Sequence, residues 1–137
     1  MYQEIIFLGT GIGISGLSLS QVSNLLLRIH NSLLNMILYG ITINIERQIH
    51  EQWIEWMKTQ HVPAVLGCGL IQDSKILKLL NEEDGNPGVT YSFQYFFKDL
   101  NALQKFQEEF EPGLDTILYS KYRNSLVDFR TILEVIT

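Results

Sequence analysis

His61 is the residue best placed by spacing to do chemistry. Ile49, Trp53 and Met57 recur every four residues, and His61 continues the same line along an amphipathic helix. An imidazole near a helix end meets the negative end of the macrodipole, which favours the imidazolium. Such a group could serve as a general acid or base, or as a haem ligand. The plainer alternative is a histidine that caps the helix or hydrogen-bonds in the core. His30 and His50 are weaker candidates. No two histidines stand four apart and no carboxylate pair accompanies His61, so neither a metal site nor a cofactor is expected.

A second set of candidates shares a face instead of a helix. Thr42 and Asn44 alternate with isoleucines, and Ser92 and Gln94 alternate with aromatics. Alternation puts each pair on one side of its strand, so the four residues are expected to line a pocket. Their alternative is a solvated face or a polar interface. Arg130 is expected on that face as well, as an anion binder or in a salt bridge with Glu134 or Asp128. Trp53 and Trp56 are expected in the core, with an aromatic pocket as the alternative; Tyr39, Tyr91 and Tyr95 also read as core. Cys68 has no basic neighbour to activate it and reads as an inert thiol. Glu82-Glu83-Asp84 lacks calcium-loop spacing and reads as a solvated turn.

The elements that must position these residues follow from periodicity. Met36 to Ile45 alternates strictly and forms the first strand, with Ile37, Tyr39, Ile41, Ile43 and Ile45 on one face. A helix runs from about Gln48 to Gln60. Pro63 disfavours helical geometry at Val62 and opens a short turn to Leu66, closed by Gly67-Cys68-Gly69. Gln72 to Leu80 is an edge strand guarded by Lys75 and Lys78. The turn-rich Asn81–Gly88 links it to a third strand, Val89–Phe97. Asp99 caps a second helix, which Pro112-Gly113 breaks; a further helical piece spans Leu114 to about Tyr122. Val127–Ile136 is the last strand, with Phe129, Leu133 and Val135 read as its inner face.

The order β-α-β-β-α-β implies an α+β, ferredoxin-like fold: a four-stranded antiparallel sheet, spatial order 4-1-3-2, with helices on one face. Dimerisation through the other face would enclose a dimeric α/β barrel with a semi-polar lumen.

The first 35 residues differ in character. Ile5 to Leu27 carries no charge, but glycines and small polar residues dilute it as a membrane span, so membrane insertion is not expected. Gly11-Ile12-Gly13-Ile14-Ser15-Gly16 matches a dinucleotide fingerprint, yet the first acid after it is Glu46, far beyond the expected position. Residues 1–35 read as a poorly structured or helical extension, with Met36 as the expected start of translation and 36–137 as the domain.

The residues after Met36 resemble a family of small bacterial proteins, domain of unknown function 4286. The resemblance is carried by Tyr39–Ile45, by Trp53-Ile54-Glu55-Trp56-Met57 with His61-Val62-Pro63, by Gly88–Tyr95, and by Phe129–Val135. It implies no particular activity. The layout is also similar to dimeric α+β barrels, a group that includes monooxygenases, mutarotases and plain binding proteins.

The net charge of −5 argues against nucleic acid and anionic membranes as partners. A single cysteine excludes a disulfide framework and fits a cytoplasmic location. The leading expectation is a homodimer holding a small organic ligand in a sheet-face cavity. The alternatives are a cofactor-independent monooxygenase or isomerase using His61 with Gln94 or Arg130, and an interaction module without ligand.

Overall fold

The structure is a computed structural model and describes residues 16–33 and 35–137. Gly11–Ser15 of the glycine motif and the side chain of His30 lie outside what it describes. The chain divides into two compact units, one of residues 1–35 with 136–137 and one of Met36–Val135. In the first, helix α1 spans Leu19–Leu33. It opens on a reciprocal cap: the Gln21 amide N–H donates to Ser18 Oγ at 3.2 Å, and the Ser18 N–H donates to Gln21 Oε1 at 2.8 Å. No helix among the described residues is long and apolar enough to cross a membrane.

The second unit is the α+β sheet expected from periodicity. Its strands are β1 (Ile37–Glu46), β2 (Ile71–Lys78), β3 (Gly88–Phe97) and β4 (Leu126–Glu134). They lie in the order β2-β3-β1-β4, all neighbours antiparallel. β1 is central because its inner face is wholly apolar and both its edges are paired. Ile37, Tyr39, Ile43 and Ile45 are buried, as are Val89, Tyr91, Phe93, Tyr95 and Phe97 opposite them on β3. Trp53, Met57, Leu103, Phe106 and Leu118 from the helices complete this core. Trp53 sits edge-on to Phe93 with centroids 5.6 Å apart, so the first tryptophan is core.

The helical layer departs from expectation in two places, both at prolines. Helix α2 (His50–Trp56) does not end near Gln60. It passes through a π turn, Met57–His61, into α3 (Val62–Leu66). Pro63 has no N–H, and in an α-helix its ring would meet the Thr59 carbonyl. Widening the turn makes room for that ring without ending the helix. Helix α4 (Leu100–Glu109) starts as expected, with Asp99 Oδ1 accepting the Ala102 N–H at 2.8 Å. It breaks near Pro112 as expected, but at Phe110, and the next helix opens earlier than Leu114: α5 spans Glu111–Tyr122 with the proline in its first turn, where no backbone N–H is required.

β4 departs more deeply. Its register pairs Ile41 with Arg130 and Thr42 with Phe129, so Arg130 lies on the helix-covered face and Phe129 on the open one. The expected inner residues Phe129 and Leu133 are 62 % and 53 % exposed.

Candidate functional site

The two faces of the sheet present two polar constellations. On the open face, a groove of about 620 Å³ lies over the ends of β1, β3 and β4. Thr42, Asn44 and Thr90 line it from the strands, Glu83 to Pro87 from the β2–β3 loop, and Val127 and Phe129 from β4. The volume is in the range of small-molecule sites.

Asn44 organises the groove. Its amide donates to Thr90 Oγ1 at 2.9 Å and to Asn86 Oδ1 at 3.2 Å. Asn86 Oδ1 also accepts the Gly88 N–H at 2.9 Å, and the Asn86 amide donates to Glu82 Oε2 at 2.8 Å. Glu82 Oε1 in turn accepts the Thr90 N–H at 2.7 Å. Glu82 is therefore a strut that ties the loop to β3, not part of a solvated turn. Gly88 permits the arrangement: a Cβ there would stand 2.1 Å from Asn44 Oδ1 and 2.7 Å from the Ile45 carbonyl.

The expected ligand set is divided by this geometry. Thr42 and Asn44 line the groove. Ser92 and Gln94 share its face, since Ser92 pairs with Thr42 and Gln94 with Gly40, but they lie further along the strands and are not among its lining residues. Arg130 is on the opposite face.

There Arg130 forms the hub of an ion network. It grips Asp115 with two hydrogen bonds of 2.9 Å and lies 3.1 Å from Glu111 Oε2 and 3.4 Å from Asp128 Oδ2. The Glu111 contact is close but poorly aligned, and Oε2 is otherwise buried without a hydrogen-bond partner. The Arg130 guanidinium also donates to the hydroxyls of Tyr119 (3.2 Å) and Tyr39 (3.4 Å), while the Tyr119 hydroxyl donates to Asp128. Three carboxylates around one guanidinium explain why β4 turns its arginine inward.

The electrostatics follow. Burial works against the Arg130 charge, but the hydrogen bonds it donates to Asp115 and Tyr39 outweigh that and raise its pKa. Burial raises the Glu111 carboxyl above its ordinary range, although Tyr39 and Arg130 pull it down. Burial and the bond to Asp128 push the Tyr119 hydroxyl up to about 12.

His61 stands near this network and is 8 % exposed. It stacks on Trp56, centroids 5.4 Å apart, and Trp56 carries the Lys121 ammonium 5.1 Å from its ring centroid. Because the helix continues past His61, there is no C-terminal dipole end to favour the imidazolium. Burial lowers its pKa, opposed by Asp115 and assisted by Arg130. His61 is not among the residues that line the groove. His50 hydrogen-bonds the Tyr91 hydroxyl at 3.1 Å. Cys68 is half-buried, its sulfur accepting the Leu70 N–H at 3.4 Å. Among the described residues no group of three or more His, Cys, Asp or Glu is arranged to hold a metal ion.

The network residues were visible in one respect. Glu111, Asp115 and Tyr119 recur every four residues and form a polar stripe along α5. Asp128 and Arg130 alternate on one side of β4. Only the fold brings stripe and strand together.

Similar folds are known. An ethyl tert-butyl ether D (EthD) family protein from Bacillus halodurans C-125 superposes with a TM-score of 0.57 at 13 % identity, covering 73 % of this chain and 99 % of its own. A dimeric ferredoxin-like protein from an uncultured marine organism gives 0.53 at 10 % identity, covering 74 % and 96 %. These establish the ferredoxin-like fold. Among curated proteins none matches the chain. The family described as Domain of unknown function (DUF4286) matches residues 36–136, the whole sheet with both its faces, and the chain belongs to that family.

Proposed function

We propose that this protein binds a small organic ligand in the groove on its open sheet face, with a second copy of the chain covering that face. The groove over Thr42 and Asn44 is the observation that carries the reading: it is roomy, lined by both polar and apolar side chains, and held open by the Glu82–Asn86–Asn44 struts. Preformed walls of this kind lower the ordering cost of binding. The second copy is supported by the apolar side chains beside the groove. Val127, Phe129 and Leu133 are 70 %, 62 % and 53 % exposed on one strand, and such a row favours burial against another surface. The similar fold from a marine organism is described as dimeric. The lone cysteine and negative net charge fit a cytoplasmic protein.

Turnover at His61, by a monooxygenase or isomerase route, would need the imidazole to reach the ligand. It stacks on Trp56 instead, and the reading is accordingly one of binding. The purely structural alternative is separated by experiment. Sedimentation at micromolar concentration is expected to show a dimer, and a fragment screen followed by amide chemical shifts is expected to move Thr42, Asn44 and Thr90. A monomer refutes the covering copy. A screen without shifts in those residues refutes the ligand site and leaves the interaction module.

A further inference from the structure

The groove's walls carry different chemistry, and among the described residues no basic side chain lines it. Glu83 and Asp84 are exposed on the loop wall, Val127 and Phe129 are apolar on the other, and Thr42 and Thr90 offer hydroxyls between them. Asp128 also borders the groove, but its carboxylate is engaged on the other face by Tyr119 and Arg130. The Glu83 and Asp84 carboxylates, by contrast, enter no ion pair among the described residues. The loop that carries them is anchored on both sides, by Glu82 to Thr90 and by Asn86 to Asn44. A cleft with charge of one sign beside an apolar wall concentrates its field on a bound ligand.

We propose that the groove selects a small organic cation, an ammonium group joined to an aliphatic or aromatic body. The body packs on Val127 and Phe129, and the ammonium faces Glu83 and Asp84. The inference rests on the groove being a ligand site.

It is tested with three probes that share a phenyl body: phenethylamine, the neutral phenethyl alcohol and the anionic hydrocinnamate. Each is titrated into the full-length protein while the amide shifts of Thr42, Asn44 and Thr90 are followed. Two exposed carboxylates are expected to favour the amine over the alcohol on the order of tenfold. The preference is expected to shrink in high salt. The E83Q/D84N double variant should bind amine and alcohol alike, while Phe129→Ala weakens both. If alcohol or hydrocinnamate binds as tightly as the amine, or the double variant keeps the preference, charge selection is wrong and the groove stands. If no probe moves these residues, the ligand site itself is wrong and the inference falls with it.

Discussion

The two faces of this sheet solve the same problem in opposite ways. Each must satisfy polar side chains set among apolar ones. On the helix-covered face, Arg130 gathers Glu111, Asp115 and Asp128 into a closed network with two tyrosines, and its side chain is only 21 % exposed. On the open face, Asn44, Asn86, Glu82 and Thr90 satisfy one another and leave a cavity beside them. The first arrangement spends its hydrogen-bonding capacity internally. The second holds a loop away from the strands and keeps the Thr42 hydroxyl and the loop carboxylates available. β4 belongs to both, with Arg130 and Asp128 on one side and Phe129 and Val127 on the other.

The largest expected effect comes from breaking the closed face. Arg130→Met leaves three partly buried carboxylates without their cation and is expected to cost about 3 kcal/mol in urea unfolding. A variant as stable as the parent would show that the network is not a structural hub.

Gly88→Ala attacks the open face through its backbone. The new methyl must displace Asn44 or the Ile45 carbonyl, with an expected cost of about 2 kcal/mol. The amide signals of Asn86 and Thr90 should move with it; if they do not, the strut does not organise the loop.

Smaller effects probe the closed face by pH. Burial holds His61 below the ordinary histidine value of 6.5, so the unfolded chain binds the proton more readily. His61 contributes stability above pH 6.5 that is lost as pH falls through its lowered value. In His61→Gln the unfolding midpoint should vary less with pH below 6.5 than in the parent. Glu111 has the opposite sign. Its carboxyl is raised by burial above 4.5, so its charged form is the penalised one at neutral pH. Glu111→Gln should be the more stable protein at pH 7, with the gain vanishing as pH falls below 4.5. Parallel pH profiles for parent and variant would remove either residue from the account.

Phe129→Ser should matter least to folding, within about 0.5 kcal/mol, because the ring lies on the open face. It should still weaken self-association in sedimentation. A large loss of stability with unchanged association would reverse the roles assigned to the two sides of β4.

Much of the fold was legible because neighbours along the chain carry it. β1 and β3 alternate without interruption, so their inner and outer residues follow from period two alone. That suffices to place Thr42 and Asn44 on the open face. β4 misleads because an apolar alternation normally points inward. Phe129 and Leu133 keep the pattern but face outward, since turning Arg130 out would strip Asp115 and Glu111 of their partner. The helix through His61 misleads for a related reason. Pro63 ends an α-helical hydrogen-bond ladder but not a π turn, and which one forms depends on packing Met57, Val62 and Val65 against the core.

By itself the sequence determined the strand order, the central place of β1 and β3, and the polar residues at the ends of their open face. These depend on local periodicity and on short connections, which any chain with this pattern must obey. Tertiary structure decided which side of β4 is inside, that His61 is buried against Trp56, and that Glu82 and Asn86 build a groove over Asn44. Each of those rests on charge or hydrogen-bond partners far apart in the chain, and a partner's position in space is not encoded in the spacing around any one residue.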